Sequence, residues 1–558
     1  MMFDRARRWH GRPMLRAFRG GEWQSLSWGG FARRTAALAR ALRAAGVAAG
    51  DRVVIASENR PEYPIVETAL MAIRAVPVPV YVSNTVADHA HILADSGARA
   101  AVASTAALAG RLIEAARLIE ANGLDLLVVM EPFAAPAGPK ILQWDALIDD
   151  GHGPEDIAAE AAMIAPGALA CLIYTSGTGG APRGVMLPHR AILSNCAGAY
   201  ALVRGLGLEG GLYLSFLPLA HAYEHTAGQF FMLSLGIEVG YARGVEHLAA
   251  DMLTQRPVIL TMVPRVLEVI RGRILAQVAR EVPWKQRLFA RALALGRRRA
   301  EGDPLGLVER GADLVLDRLV RKKIRARFGG RLVAMVSGGA RLEPEVGRFF
   351  LGLGITLVQG YGQTEAGPII AANDPAAIRI ETVGRALRGV DLRIADDGEI
   401  LVHGELVMDG DWGRAAETAA AIRDGWLHTG DIGMLDAAGY LTITDRKKDM
   451  IVLSGGENVS PARIEGLLIA EPALAQAMVF GDGRSGLIAL VVPRDGFDDL
   501  AAAAAVTAVN LRLSVTERIR RHAVVPPFTV ENGLMTATQK TRRHLVRAEH
   551  AAVLARLG

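Results

Sequence analysis

Between Tyr174 and Val185 the chain reads Tyr174-Thr175-Ser176-Gly177-Thr178-Gly179-Gly180-Ala181-Pro182-Arg183-Gly184-Val185. Glycines expose backbone N–H groups and let a polyphosphate approach closely; Ser and Thr hydroxyls add donors; Arg183 adds a positive charge. The chemistry suggested is phosphate handling, and the alternative is an ordinary Gly-rich turn. Two common nucleotide loops are excluded by spacing. A P-loop ends in Gly-Lys-Ser/Thr, where Pro182-Arg183-Gly184 stands, and a dinucleotide fingerprint needs a third glycine where Pro182 sits. A literal G-x-G-x-x-G at Gly205, Gly207 and Gly210 follows no strand and reads as chance.

Further stretches carry chemistry-bearing residues. In Leu217-Pro218-Leu219-Ala220-His221-Ala222-Tyr223-Glu224-His225, His221, Glu224 and His225 spell H-x-x-E-H, a zinc-protease signature. A tetrahedral zinc site needs a third protein ligand, and none is evident, so the expectation is a partly buried helix start without zinc. Ser337-Gly338-Gly339-Ala340 and Gln359-Gly360-Tyr361-Gly362-Gln363-Thr364-Glu365 are Gly-rich turns after apolar runs. The second offers a ring to stack on a base, a hydroxyl for phosphate and a carboxylate for Mg²⁺. Asp431 ends a Gly-Trp-Leu-His-Thr-Gly-Asp run, and Asp445-Arg446-Lys447-Lys448-Asp449 is a charge cluster between two β-rich segments. Ser454-Gly455-Gly456-Glu457-Asn458 and Thr536-Ala537-Thr538-Gln539-Lys540-Thr541-Arg542-Arg543 complete the set.

Elements must position these residues. Ala168 to Ile173 reads as a short buried strand ahead of the first loop. Upstream, Arg52 to Ala56, Ala100 to Ala103 and Leu126 to Met130 read as strands separated by helical segments, among them Tyr63 to Ala75. Val76 to Val82 is β-rich, but Pro77 and Pro79 confine it to a sheet edge. The alternation predicts an α/β domain with a largely parallel sheet, and places the phosphate loop after a strand of the next such unit. Strands are also predicted at Arg331 to Val336 and leading from Leu357. Asp391 to Val407 reads as an antiparallel subdomain, and the last part of the chain as a small α+β domain.

At 558 residues the chain is too long for one core. Hydrophobic content of 51% against 22% charged is globular. A net charge of +5, with pI near 9.3, permits weak attraction to anionic surfaces and does not argue for nucleic acid. The two cysteines give neither a disulfide framework nor metal spacing. The Arg-rich start lacks the apolar core of a signal peptide, and Phe230 to Tyr241 is too short to span a bilayer. The reading is a cytoplasmic protein able to touch the inner face of a membrane peripherally. The basic, helical-looking stretch from Arg271 to Arg327 reads as solvated amphipathic helices or as a surface for anionic lipid; it lacks the interleaved aromatics of a nucleic-acid binder.

Taken in order, these motifs resemble those of the adenylate-forming enzymes: acyl-CoA synthetases, adenylation domains and firefly luciferase. The first loop is similar to Y-T-S-G-T-T-G-x-P-K-G, with Gly179 for a threonine and Arg183 for the lysine. Leu217 to Glu224 resembles L-P-L-A-H-x-x-E of long-chain acyl-CoA synthetases, whose histidine region borders the acyl and adenylate pocket. The tail is similar to T-P-T-x-K-x-x-R, with Ala537 for the proline. The resemblance runs from Trp23 onward.

It implies a large N-terminal domain, 1–445, of mixed and parallel sheets with helices plus a small β-barrel-like subdomain. A small mobile α+β domain, 446–558, would follow a hinge near 445–449. It also implies a fatty acid substrate, ATP, Mg²⁺ and coenzyme A, and two steps, acyl-AMP formation and thioester formation. By resemblance Thr175, Ser176, Gly177, Thr178, Gly179, Gly180, Arg183 and Gly184 would cradle phosphates. Thr364 would bond the α-phosphate and Glu365 would hold Mg²⁺. Gly339, Ala340, Tyr361 and Gly362 would line the adenine pocket, with His221 at its border. Asp431 and Arg446 would take the ribose, and Lys540 would bridge carboxylate and phosphate. Lys448 would be the pivot, and Gly455 and Gly456 would belong to the face that approaches coenzyme A. Two alternatives stay open: a ligase loading a separate acyl carrier protein, for which this chain shows no carrier domain, and an adenylate-binding protein of weak activity.

Overall fold

The computed structural model describes residues 1–119, 123–134, 138–175, 181–455, 457–535 and 541–557. Two compact units make up the chain. Met1–Ser176, Ala181–Asp391 and Val402–Leu427 form the first; Leu392–Leu401 and His428–Gly558 form the bulk of the second.

The first unit opens into a five-stranded parallel sheet, in the order Val76–Val80, Arg52–Ala56, Ala100–Ala103, Leu126–Val129, Lys140–Gln143. Val76–Val80 lies at the edge, as Pro77 and Pro79 require, because a proline cannot donate to a ladder. The crossovers are Glu62–Ala72, Val86–Ser96 and Ala106–Arg117. Val86–Ser96 starts where a capping box forms: the Asp88 N–H donates to the Thr85 hydroxyl, and the Thr85 N–H donates to the Asp88 carboxylate.

A second sheet has nine strands. Its centre is parallel: Thr356–Gly362, Ala334–Ser337, Ile259–Met262, Leu212–Ser215, Glu238–Tyr241 and Pro13–Arg19 lie side by side. Antiparallel strands close both ends, Glu22–Ser27 at one and Ile369–Ala372 with Arg385–Ala386 at the other. The strands predicted from Arg331 and Leu357 are the two centred here, the former starting at Ala334.

The strand before the Gly-rich loop corrects one expectation. Leu169–Thr175 pairs antiparallel with Arg183–Pro188, and Gly410–Asp411 adds a third strand. The loop therefore joins a hairpin, and no crossover helix follows it directly. An apolar run buried on both sides fits a parallel or a hairpin strand equally well. Leu172 and Tyr174 from this hairpin share a core with Val78, Leu112 and Leu127 of the first sheet.

In the second unit Leu474–Phe480 pairs antiparallel with Leu487–Pro493, which pairs parallel with Ile519–Val524. Helices Pro461–Ala470 and Asp499–Asn510 cover this sheet through Ile464, Leu468, Val506 and Val509. This is the α+β organisation predicted for the end of the chain.

Candidate active site

Four adjacent parallel strands of the nine-stranded sheet end together, with Met262 opposite Ser337 and Ser337 opposite Gln359. Beyond three of these ends run Phe216 to His221, Val263 and Gly338 to Ala340, and the fourth strand continues through Tyr361 and Gly362 into Thr364 and Glu365. In open α/β sheets this edge is where ligands bind. Topology thus brings His221, Gly339, Ala340, Tyr361, Gly362, Thr364 and Glu365 to one side of one unit. Gly339 and Ala340 are exposed, and Tyr361, Thr364 and Glu365 are half-buried.

The turn Thr364–Ala366 is pinned from two directions. Asn195, on the helix His189–Val203, donates from Nδ2 to the Ala366 carbonyl (3.2 Å) and accepts from the Ile369 N–H (2.7 Å). The Met408 N–H donates to the Glu365 carbonyl (3.0 Å). Gly362 admits no side chain, since a Cβ would stand 1.8 Å from the Pro368 carbonyl oxygen. A turn held this way presents hydroxyl and carboxylate at little further cost in ordering.

The hairpin supplies the cation. Thr175 and Arg183 face each other across it, and the Tyr174 ring packs on Gly184, where a Cβ would lie 3.1 Å away. The Tyr174 hydroxyl donates to Asp95 (2.7 Å), which also pairs with Arg414 (3.2 Å). His91 holds the end of the loop through the Pro182 carbonyl (2.8 Å). Arg183 points to two carboxylates, Asp411 (Nη1–Oδ2, 3.0 Å) and Glu365 (Nη2–Oε1, 3.9 Å). The Asp411 side chain is 1% exposed. Burial pushes its carboxyl above the usual range against the pull of Arg183.

The cation that the sequence offers to phosphate is therefore also the counterion of a buried carboxylate. Asp411 went unnoticed in the sequence, where the signal was an acidic residue in a β-rich stretch that usually excludes it. Asn195 left no signal at all. The half-buried Glu365 carboxylate fits a Mg²⁺ ion, which takes few protein oxygens and keeps waters and phosphate oxygens for the rest.

The H-x-x-E-H residues have separate fates. His221 is half-buried and its Nδ1 accepts from the Tyr223 N–H (3.1 Å), so the neutral ring carries its proton on Nε2. Glu224 and His225 begin a π-helical segment, Glu224–Phe231, and turn into the core. Glu224 accepts from Tyr213, from Ser215 (2.6 Å) and from Thr261 (2.8 Å). Burial pushes its carboxyl up to about 7 despite these donors. His225 is fully buried against Glu67, which also accepts from Gln229. Among the described residues no group of three His, Cys, Asp or Glu is arranged to hold a metal ion.

In the second unit Asp431 and Arg446 face each other across antiparallel strands (Oδ1–Nε 3.1 Å). Lys447, between Arg446 and Lys448, pairs with Asp397 (2.6 Å) and Glu399 (2.9 Å). Ser454 and Gly455 lie exposed in a turn. Ser176, Gly177, Thr178, Gly179, Gly180, Gly456 and Lys540 lie outside the described residues.

The double contact of Arg183 makes one prediction. Arg183→Ala is expected to lower kcat/KM for ATP about 10- to 100-fold, and Arg183→Lys to recover much of it, since a buried Asp411 keeps a neighbouring charge. Measured nucleotide dependence decides. An unchanged kcat/KM in Arg183→Ala would leave Arg183 with a structural role only.

Residues 2–413 match the family of AMP-binding enzymes, and residues 448–555 match the AMP-binding enzyme C-terminal domain. The long-chain-fatty-acid–CoA ligase FadD15 of Mycobacterium bovis is 35% identical over 563 aligned residues, covering 95% of this chain and 92% of its own. The peroxisomal long chain acyl-CoA synthetase 6 of Arabidopsis thaliana is 30% identical, covering 94% of this chain and 80% of its own. Among solved structures, a benzoate CoA ligase from Burkholderia xenovorans has a similar fold, with a TM-score of 0.74 at 22% identity and 98% of each chain covered. The o-succinylbenzoate CoA synthetase of Bacillus subtilis, in complex with an acyl-adenylate intermediate, gives 0.73 at 20% identity, covering 98% of this chain and 97% of its own.

Proposed function

Because the chain belongs to the family of AMP-binding enzymes, we propose that it is an ATP-dependent ligase that activates a fatty acid and passes the acyl group to coenzyme A. One observation carries the reading. The carboxyl ends of adjacent parallel strands gather Gly339, Ala340, Tyr361, Thr364 and Glu365, in a chain 35% identical to a long-chain-fatty-acid–CoA ligase over most of its length.

In the first step a carboxylate oxygen attacks the α-phosphorus of ATP and pyrophosphate leaves, giving acyl-AMP. Tyr361, Gly339 and Ala340 receive the adenine, Thr364 donates to the α-phosphate, and Arg183 with the loop from Thr175 receives the outer phosphates. Glu365 would hold Mg²⁺, which when bound would supply charge neutralisation on the phosphates. His221, a neutral donor through Nε2, borders the acyl side. Asp431 and Arg446 take the ribose hydroxyls, and Lys540 meets the charge that develops between carboxylate and phosphate. In the second step the thiolate of coenzyme A attacks the acyl carbon and AMP leaves. A turn about Lys448 exchanges Lys540 for the face containing Gly455 and Gly456.

A panel of carboxylates from acetate to stearate, with aryl acids, tests the reading by AMP release. We expect medium to long chains to be preferred, each added buried CH₂ contributing about 0.8 kcal/mol until the acyl site is filled. A maximum kcat/KM on acetate or benzoate would refute it. AMP release that does not require coenzyme A, with transfer to an added carrier protein, would replace the acceptor.

A further inference from the structure

Leu307–Leu316 continues through a π-helical turn, Asp317–Arg321, into Lys322–Ala326. Its three acidic side chains are all held in ion pairs: Asp313 is buried, and Glu309 and Asp317 are half-buried. Asp313 pairs with Arg321 (2.7 Å) and Arg299 (3.0 Å), Asp317 with Arg325 (2.8 Å) and Arg321 (3.1 Å), and Glu309 with Arg298 (2.6 Å). Arg321 is fully buried and also donates to the carbonyls of Ala292 (3.2 Å) and Asp313 (2.7 Å). Every carboxylate of the segment is thus neutralised within the protein.

What remains outward is apolar and cationic. Leu307 is 86% exposed, Val308 87%, Leu314 59%, Val315 54% and Leu319 50%. Arg310, Arg318, Lys322 and Lys323 are exposed along the same segment. A surface helix ordinarily buries its apolar face and shows both signs of charge to water. Here every carboxylate is held in an ion pair, and leucine and valine stand outside beside exposed cations of the same segment.

Contiguous exposed apolar side chains rimmed by charge mark an interaction surface. Its chemistry selects the occupant. A nucleic acid would leave the leucines in water, and a purely apolar protein face would leave the cations without a counter-charge. The boundary of an anionic bilayer supplies both halves at once, phosphate at the surface and acyl chain just beneath.

We propose that this segment docks the protein peripherally on an anionic phospholipid bilayer. Leu307, Val308, Leu314, Val315 and Leu319 enter the headgroup–acyl boundary, and Arg310, Arg318, Lys322 and Lys323 meet lipid phosphates. The contact lies on the surface, since among the described residues no helix is long and apolar enough to cross a membrane. The inference is independent of the proposed reaction, and its test reads binding.

The full chain is sedimented with vesicles of phosphatidylcholine, with and without phosphatidylglycerol. Partition onto the anionic vesicles should exceed that onto neutral ones at least ~10-fold and should fall as salt is raised. The pair Leu307→Ser with Val308→Ser, and the pair Lys322→Glu with Lys323→Glu, should each lower partition ~10-fold or more. Both should keep the wild-type urea midpoint and pyrophosphate exchange rate, so that loss of binding is not loss of fold. No vesicle binding by the wild type, or binding unchanged in both pairs, would overturn the proposal. So would a dimer in light scattering that the serine pair dissolves, since a second copy would then be the occupant.

Discussion

Lys540→Ala is expected to lower the rate of acyl-AMP formation by about 10²–10³-fold, roughly 3–4 kcal/mol, and to leave thioester formation from supplied acyl-AMP nearly intact. An ammonium placed where carboxylate oxygen meets the α-phosphate offsets charge that exists only in that transition state. Such a group raises kcat without tightening the ground state. In the proposed mechanism the second half-reaction has a different transition state, at the acyl carbon, and a turn about Lys448 would by then have carried Lys540 away. Pyrophosphate exchange measures the first half and conversion of acyl-AMP with coenzyme A the second. Lys448→Pro should reverse the pattern, because a fixed φ at the pivot hinders the turn but not the starting arrangement. Equal loss in both halves for Lys540→Ala, or no loss in either, would remove Lys540 from the reaction.

Local patterns in the chain were legible where chemistry acts over a few residues. Pro77 and Pro79 put Val76–Val80 at a sheet edge from sequence alone, because the missing N–H is a local fact. The Gly-rich turns after Ser337 and Gln359 were legible as strand ends, and topology then brought them together. Pairing was not legible. Nothing within Arg183–Pro188 announces that it folds back on Leu169–Thr175, since both runs are apolar enough for either arrangement.

Long-range polar partners were hidden for the same reason. Arg183 reads as a phosphate ligand until Asp411 appears beside it, 228 residues away. Between Arg271 and Arg327 the composition reads as solvated amphipathic helices or as a surface for anionic lipid. What it did not reveal is that Arg321 is buried among Asp313 and Asp317 while leucines turn outward. Apolar spacing gives the face of a helix, and only packing decides which face is inside.

Glu67→Gln is expected to destabilise the protein by ~3–5 kcal/mol near pH 6.5, and by progressively less as pH approaches 10. Glu67 and His225 are both fully buried, with His225 Nε2 on Glu67 and Gln229 donating to the other carboxylate oxygen. Burial disfavours charge on the His225 ring. The Glu67 carboxylate, together with the neighbouring Cys171 sulfur, offsets it and pushes the imidazole pKa up to about 10, from an ordinary 6.5. A group whose folded pKa is raised stabilises the fold fully below its unfolded pKa. That contribution is lost as pH rises through the folded value, here between about 6.5 and 10. Removing the carboxylate leaves the imidazole to be buried without its counter-charge, which is the costly way to break a buried pair. Glutamine keeps the shape and a hydrogen-bonding oxygen, so the loss reports charge rather than a cavity. Above about pH 10 the imidazole is neutral in the wild type as well, and the two proteins should converge. The measurement is the difference in urea midpoint between wild type and Glu67→Gln at pH 6.5, 8 and 10. A difference that stays constant across that range would mean a neutral hydrogen bond in place of the ion pair, and no difference at pH 6.5 would mean that neither charge holds the π-helical segment Glu224–Phe231 against the helix Glu62–Ala72.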